Sequence, residues 1–251
     1  MTERRQWQGM MAIARFNWPY YVVAAVVFAV SVWGLMLGTS IEWKIICGIA
    51  LACAAYFLFV SLAVSHVIYD RSDLYRWGWL ERALCGVRQM RIVFCHCGFD
   101  EASGALQERL KQASWLVLDH FDEALMTEGS IRRARRMFPP MPGTLPAKFD
   151  KWPVETATVD VIFGLLAIHE LRMEAERVAW FAEAKRCLTP GGRVVLAEHT
   201  RDFANFLAFG PGFAHFHSPQ SWRRSWERAG FSCLDEFRVT PWIRVFVIAA
   251  P

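Results

Sequence analysis

Two long apolar segments without a charged side chain constrain this 251-residue chain more than any other feature. No Asp, Glu, Lys or Arg occurs in residues 16–41 or in residues 45–69. A helix needs about 20 apolar residues to cross the roughly 30 Å hydrocarbon core of a bilayer. The pattern predicts transmembrane helices over about 20–37 and 45–64, within a membrane hairpin of residues 1–68. The alternatives are a buried helical hairpin of a soluble core and a cleaved signal peptide, and the second apolar run disfavours the latter.

Basic side chains flank the two apolar runs rather than the turn between them. Only Lys44 lies in the connecting turn. The other flanking cations are Arg4, Arg5, Arg15, Arg71, Arg76, Arg82 and Arg88. The positive-inside rule therefore predicts a multi-pass protein of the inner (cytoplasmic) membrane, with both ends of the hairpin in the cytoplasm. No acidic or basic side chain lies within either span, which disfavours a transport function.

Cysteine usage and charge exclude several classes of protein. The seven cysteines show no paired framework, so we expect reduced thiols in a cytoplasmic domain. Cys95-His96-Cys97 lies in a predicted buried strand without a second ligand pair, and we assign no metal ligand there. The net charge of +4 shows no basic patch with interleaved aromatic residues, so no nucleic-acid partner is expected. The cluster Arg132, Arg133, Arg135 and Arg136 is interpreted as a solvated helix face.

The remaining residues, 69–251, alternate short apolar runs with amphipathic stretches. The predicted strands are 91–95, 115–118, 159–163 and 193–197, and the predicted helices are 103–112, 131–137 and 177–187. Such alternation predicts an α/β fold with a mostly parallel sheet. In such sheets the ligand lies outside the carboxyl ends of the strands, so the residues that follow each strand are the candidate site.

Residues after the first two predicted strands suit a nucleoside. Gly98 permits a close approach of the backbone, and the helix that starts near Ser103 offers unpaired amide groups. Asp119 follows the second strand, 21 residues beyond Gly98. A carboxylate at about that distance accepts hydrogen bonds from both hydroxyls of an adenosine ribose.

Two histidine–acid pairs follow the later strands. His169-Glu170 comes after the strand 159–163, and Glu198-His199 comes after the strand 193–197, close to Arg201. We expect these side chains to converge on one polar rim at the carboxyl edge of the sheet. The alternative for each is a helix cap or a surface ion pair.

The stretch Thr158–Glu198 resembles the class I S-adenosylmethionine-dependent methyltransferases. It reads TVDVIFGLLAIHEL, then a helix with ERVAWFAEAKRCL, then TPGGRVVLAEH, and it is similar to the family's fourth strand, its L-x-P-G-G turn and its fifth strand. Weaker similarity extends over about 74–250, where 231–239 and 242–249 resemble the closing antiparallel hairpin. The resemblance implies a Rossmann-like fold and S-adenosyl-L-methionine as cofactor.

One loop departs from the family pattern D-x-G-x-G-x-G. Residues 94–100 read FCHCGFD, so only Gly98 remains of the glycines and Phe94 stands where the acid is expected. Asp100 or Glu101 could replace that acid against the cofactor's ammonium group. The resemblance also matches Asp119 to the ribose-binding acid and places Asp150 in the loop beside the adenine. The predicted cofactor-binding residues are His96, Gly98, Asp100, Glu101, Ser103, Asp119 and Asp150.

Residues 205–217 lie where the family builds its acceptor pocket, and they are rich in aromatic side chains. Residues 69–77 would close this pocket from the membrane side, with Trp77 and Trp79 at the bilayer surface. We therefore predict a membrane-anchored methyltransferase of a lipophilic small molecule. The predicted catalytic residues are His169, Glu170, Glu198, His199, Arg201 and His215, of which His199 or His215 would be the general base. The alternatives are a non-methyl-transferring or metal-assisted enzyme on the same fold and a non-catalytic, cofactor-binding membrane subunit.

Overall fold

A computed structural model describes residues 5–87 and 90–250 of the chain. Arg4 and Arg88, on which the predicted orientation partly depends, lie outside the described residues.

Helices form the first third of the chain. They are α1 (Gln8–Phe16), α2 (Trp18–Leu37) and α3 (Ile41–His66), and α3 continues into a π-helical turn, Val67–Arg71. The α2 helix and the α3 helix with its turn are long and apolar enough to cross a membrane, and only 6% and 17% of their most apolar stretches are buried within the protein. A helix of a soluble core would be mostly buried, so this hairpin does not have the burial that the soluble alternative requires.

The α1 helix, which the sequence analysis did not predict, lies against the end of α3. The carboxylate of Asp70 accepts hydrogen bonds from the amides of Gly9 (2.6 Å) and Met10 (3.0 Å), and so pairs free N–H groups at the start of α1. His66 Nδ1 lies 3.0 Å from the same carboxylate, and its ring stacks on Trp7 at 3.9 Å. These contacts attach α1 to the base of the hairpin.

The rest of the described chain is an α/β unit. Its strands are β1 (Arg91–His96), β2 (Ser114–Asp119), β3 (Leu145–Pro146), β4 (Val159–Leu165), β5 (Leu188–His199), β6 (Ser232–Arg238) and β7 (Ile243–Ala249). Its helices are α4 (Leu80–Ala83), α5 (Ser103–Arg109), α6 (Gly129–Met137), α7 (Glu174–Cys187), α8 (Phe203–Phe209) and α9 (Pro219–Arg228).

The strands form one sheet in the order β3-β2-β1-β4-β5-β7-β6. β1 to β5 are parallel, while β7 runs antiparallel to both β5 and β6. This order confirms the predicted Rossmann-like fold with its closing antiparallel hairpin. It also places a topological switch point between β1 and β4, where ligands of such sheets bind. The predicted turn at residues 189–192 lies within β5, where it interrupts the pairing of β5 with β4. The strand therefore begins at Leu188 and not at Arg193, as the sequence predicted.

Helices cover both faces of the sheet. In β5, Val194 and Leu196 point to one core with α7 and α9, and Val195 and Ala197 point to the other, because side chains alternate along a strand.

The second core also takes in the segment that follows α3. Ile68 and Leu74 are buried there, as are Trp77 and Trp79, each 6% exposed. The expectation that the two tryptophans lie at the bilayer surface is therefore wrong: their indole rings pack under the sheet.

Candidate active site

The loop after β1, residues 97–102, contacts the end of β2 through its glycine, Gly98. Gly98 has a φ of +92°, and a Cβ there would lie 2.6 Å from the ring of Phe121, so a side chain does not fit. The Gly98 amide donates to Asp119 Oδ1 at 2.9 Å and lies 3.2 Å from His96 Nδ1. The single glycine that remains of the family motif is thus the one that the backbone requires.

Asp119 lies at the carboxyl end of β2 and is 4% exposed. Its Oδ1 accepts hydrogen bonds from the amides of Gly98 and Phe121, whereas its Oδ2 accepts one from Arg135 of α6. The Arg135 guanidinium also stacks on the Phe121 ring, 4.5 Å from its centroid. One carboxylate oxygen is therefore held by the backbone, and the other by a partly exposed side chain.

The arginine cluster of α6 is only partly a solvated face, contrary to the sequence interpretation: Arg136 is exposed, but two other arginines of the cluster bind within the protein. Arg135 binds Asp119, and Arg133 donates from Nε to the carbonyl oxygen of Phe16 at 2.5 Å. Phe16 of α1 in turn packs edge-on against Phe99 at 5.0 Å and Phe138 at 5.9 Å. Thus α1 and α6 together lie against the loop that follows β1.

The acidic residues of that loop have partners within the protein. Asp100 accepts hydrogen bonds from the amides of Ala102 (3.0 Å) and Ser103 (2.9 Å) and from the Ser103 hydroxyl, and so pairs N–H groups at the start of α5. Glu101 Oε2 accepts a hydrogen bond from the Tyr75 hydroxyl at 3.1 Å. Asp150 is exposed, in a turn that follows β3. Their predicted role toward the cofactor stays a prediction.

Two buried histidines flank Asp119, and each has a nitrogen without a hydrogen-bond partner among the described residues. His96 Nδ1 accepts from the Gly98 amide, which leaves its Nε2–H as the unpaired donor. His120 Nδ1 donates to the carbonyl of Ala147 at 2.9 Å, which leaves its Nε2 as the unpaired acceptor. Burial lowers the pKa of His96 and lowers that of His120 to about 4. Both imidazoles are therefore neutral at physiological pH, and both can still bind a polar ligand.

A second polar cluster lies at the ends of β4 and β5 and is built on Glu198, whose side chain is fully buried. Its Oε1 accepts hydrogen bonds from the amides of Ala167 (3.2 Å), Ile168 (2.9 Å) and His169 (3.3 Å), and its Oε2 lies 2.7 Å from His169 Nδ1. One carboxylate thus shapes the turn after β4 and orients the imidazole that this turn carries.

His215 joins this cluster from the loop after α8. Its Nδ1 lies 2.9 Å from Glu128, and its Nε2 lies 3.7 Å from Glu170, which is itself 3.8 Å from His169 Nε2. Burial opposes the charged imidazole, but the hydrogen bonds to Glu128 and Glu170 outweigh it and raise the pKa of His215. The hydrogen bond to His215 lowers the pKa of Glu128 to about 2. Arg172 binds Glu128 at 2.6 Å and also contacts the His215 ring.

His199 lies next to this cluster, in an environment of its own. It stacks on Phe216 at 4.7 Å, and its two nitrogens lie 2.8 Å from the Tyr69 hydroxyl and 2.9 Å from Asn205 Oδ1. Burial lowers the pKa of His199 to about 4, so the ring is neutral. Arg201 points to the loop after α8 and donates to the carbonyls of Phe216 (2.8 Å) and Ala214 (2.9 Å).

The structure therefore brings four of the predicted catalytic residues together and separates two from them. The four are His169, Glu170, Glu198 and His215. Three residues that contact predicted site residues were not predicted from the sequence: Glu128, Arg172 and Arg135. The one available signal was that Glu128 directly precedes a helix, and this does not indicate contact with a histidine 87 positions later.

The sheet order defines a Rossmann-like domain, a fold in which nucleoside cofactors bind at the carboxyl edge of the sheet. More particularly, residues 97–196 match the sequence profile of a family described as "Methyltransferase domain". This match confirms the predicted enzyme class, a methyltransferase, and implies S-adenosyl-L-methionine as its cofactor.

Solved structures share the fold. A S-adenosylmethionine-dependent methyltransferase from Aquifex aeolicus is 17% identical, with 70% of this chain and 89% of that chain covered and a TM-score of 0.51. The PH0226 protein from Pyrococcus horikoshii OT3 is 16% identical, with 70% and 90% covered and a TM-score of 0.50. At this level of sequence identity, the similarity shows a shared fold and nothing more specific. Among curated proteins, none matches this chain.

The residues present suit the cofactor. Asp119 stands at the end of β2 with one oxygen held by the partly exposed Arg135, and the unpaired nitrogens of His96 and His120 offer one donor and one acceptor beside it. A bound nucleoside would satisfy polar atoms that the protein leaves unpaired, which is otherwise costly in a buried place.

Proposed function

We propose that this protein is a membrane-anchored methyltransferase that methylates a lipophilic small molecule. The observation that carries the proposal is the contact of the second apolar helix with the β5 side of the domain. The Tyr69 hydroxyl binds His199 Nε2 at 2.8 Å, and the Tyr56 hydroxyl of α3 donates to the carbonyl of Leu207 in α8. The predicted acceptor region therefore adjoins a helix that is long and apolar enough to cross a membrane.

The surface of α8 supports this proposal. Phe203 is 72% exposed, Phe206 43% and Leu207 46%. Neighbouring apolar side chains exposed on one short helix are costly in water but not at a lipid surface. An acceptor dissolved in the inner leaflet would meet this surface before it met the polar cluster behind it.

In this proposal Asp119 binds the cofactor ribose, and the loop around Gly98 lies beside the methionine part despite its altered sequence. Arg135 competes with the ribose hydroxyls for Asp119 Oδ2, since it already occupies one of the two acceptor positions of this oxygen. When bound, the cofactor supplies an electrophilic methyl group. The domain's own task is to position the acceptor and to accept the proton that it loses.

The acceptor side is assigned to the polar residues at the ends of β4 and β5 and in the loop after α8. These are His169, Glu170, Glu198, His199, Arg201 and His215. The hairpin of residues 1–68 would hold the domain, residues 69–251, on the cytoplasmic face of the inner membrane. The basic residues on that side of the hairpin, among them Arg15 and Arg71, favour this orientation.

Calorimetry on the detergent-solubilised full chain tests cofactor binding. We expect S-adenosylmethionine to bind the wild type and to bind Asp119→Asn at least tenfold more weakly. Asp122→Asn is the matched control, because Asp122 is exposed and lies three residues further on. Absence of binding to the wild type, or an equal loss in the control, would overturn the assignment.

Product release tests the reaction itself. Incubation of the protein with the cofactor and a bacterial lipid extract should release S-adenosylhomocysteine, and the mass of the methylated lipid would identify the acceptor. Binding without release in any lipid or water-soluble extract would instead favour the non-catalytic subunit. Release with a water-soluble extract but not with lipids would contradict a lipophilic acceptor.

A further inference from the structure

We infer that His169, Glu170 and His215 form a binding site for one divalent transition-metal ion. One potential ligand atom from each residue lies within 4.8 Å of the other two. Glu170 Oε1 lies between the histidines, 3.8 Å from His169 Nε2 and 3.7 Å from His215 Nε2. These separations need only a small inward movement of three side chains to bring each atom to about 2 Å from a central ion.

The outer nitrogen of each histidine already has the partner that a metal ligand requires. His169 Nδ1 lies 2.7 Å from Glu198, and His215 Nδ1 lies 2.9 Å from Glu128. Metal-binding histidines normally donate their second N–H to a carboxylate or carbonyl, which fixes the tautomer and turns the other nitrogen toward the ion. Here both Nε2 atoms are directed toward the same carboxylate, that of Glu170.

Both segments that carry these ligands are held by residues at or just after the end of β5. Glu198 accepts hydrogen bonds from three consecutive amides of the turn that ends in His169 and Glu170. Arg201 donates to the carbonyls of Ala214 and Phe216, which flank His215. The site is therefore organised by the protein before any ion binds, which lowers the entropic cost of binding.

The charge of the cluster favours a cation. Three carboxylates, those of Glu128, Glu170 and Glu198, surround the two histidines. The cationic side chain among them is Arg172, which is 2.6 Å from Glu128 and contacts both ring nitrogens of His215, Nδ1 closely and Nε2 at 3.3 Å. The three carboxylates and Arg172 together carry a net charge of −2, which one divalent ion would neutralise. Arg172 would have to withdraw from both nitrogens of His215 while it keeps its ion pair with Glu128, so that Nδ1–H donates to Glu128 and Nε2 faces the ion.

The ligand set selects the type of ion. Two imidazoles and one carboxylate suit Zn²⁺ or Fe²⁺ and leave positions open, whereas Mg²⁺ and Ca²⁺ prefer oxygen ligands. An ion with an open position lowers the pKa of a bound hydroxyl group. The role of the ion rests on the proposed function, in which the ion would help the acceptor to lose its proton. Binding of the ion does not depend on the proposed function.

The test uses the full chain in detergent, with any affinity tag removed and metals stripped by a chelator. Titration with Co²⁺, followed by visible absorption, should show one ion per chain, and Zn²⁺ should displace it. His169→Ala and His215→Ala should each weaken binding at least 100-fold. Glu198→Gln should weaken it by about 10–100-fold, because it removes only the partner of a ligand.

His66→Gln is the matched control, since His66 is also paired with a carboxylate, that of Asp70, but lies outside the cluster. It should bind Co²⁺ like the wild type. Binding of less than one ion, or equal binding by all variants, would overturn the inference and leave His215 as a protonated bridge between Glu128 and Glu170. The calorimetry with S-adenosylmethionine is independent of Co²⁺, so failure of one proposal is distinguishable from failure of the other.

Discussion

The Tyr69 hydroxyl donates a hydrogen bond to His199 Nε2 over 2.8 Å and so joins the turn after α3 to the end of β5. The donor is established by the network around it. Asn205 Nδ2 donates to Asp202 (3.1 Å) and to the carbonyl of Trp242 (3.0 Å), so Asn205 Oδ1 faces His199 Nδ1. His199 Nδ1 must then carry the hydrogen, and Nε2 must accept from Tyr69.

Tyr69→Phe should destabilise the protein by about 1–3 kcal/mol, because it leaves a buried acceptor unpaired. His199 is 3% exposed, so water cannot readily replace the phenol. The measurement is the midpoint of thermal unfolding in detergent, with Tyr20→Phe as control because Tyr20 is 63% exposed. Equal midpoints for the two variants would show that the hydrogen bond contributes nothing.

Arg135→Gln should strengthen the binding of S-adenosylmethionine by up to about tenfold, since it removes a charged competitor from Asp119 Oδ2. Calorimetry measures the dissociation constant. Arg136→Gln, an exposed position on the same helix, should leave it unchanged. A weaker complex with Arg135→Gln would mean that Arg135 assists the cofactor instead of competing with it.

Stability should fall below pH 6.5, in part because of His120. Its pKa in the folded protein is lowered to about 4 by burial, whereas in the unfolded chain it is about 6.5. Above pH 6.5 the ring is neutral in both states. Between pH 6.5 and 4 only the unfolded chain takes up the proton, so the free energy of unfolding declines by up to about 3 kcal/mol.

His120→Asn isolates this contribution, because asparagine retains an N–H donor but does not titrate in this range. Its unfolding midpoint should fall less steeply between pH 6.5 and 4 than that of the wild type. Midpoints recorded across this range for both proteins provide the comparison. Parallel curves would show that His120 takes up a proton in the folded state.

The orientation of the hairpin can be tested with exposed cysteines. Cys85 and Cys233 are exposed in the α/β unit, and Cys53 is exposed on α3. A charged maleimide should label the first two in inverted membrane vesicles but not in intact spheroplasts. Cys53 should stay unlabelled in both, since the reagent does not enter lipid. Cys85→Ser/Cys233→Ser should abolish labelling, and labelling in spheroplasts would reverse the orientation.

Much of the fold could be predicted because it depends on patterns that are local in the chain. The strands β1, β2 and β4 were predicted to within about two residues, since buried parallel strands appear as short apolar runs between polar stretches. Asp119 and His169 follow strands, so their place at the carboxyl edge could be predicted as well. α5 was predicted too long at its end, as is common for helix termini.

The contacts of the site could not be predicted in this way. Arg135 looked like part of a solvated helix face, but α6 turns it toward Asp119, 16 residues earlier. Trp77 and Trp79 looked like residues of the bilayer surface, because an indole ring suits an interface and a core equally well. Only the packing of their segment under the sheet distinguishes the two environments.

The sequence by itself determined which segments must leave water and which face of each strand is apolar, because both follow from the order of polar and apolar side chains. From this came the hairpin and the doubly wound sheet. The tertiary structure alone decided that Glu128, Glu170 and His215 meet, although 45 residues separate Glu170 from His215. Contact between residues so far apart in the chain depends on strand register, loop path and side-chain rotamers. None of these produces a periodic pattern in the amino-acid sequence.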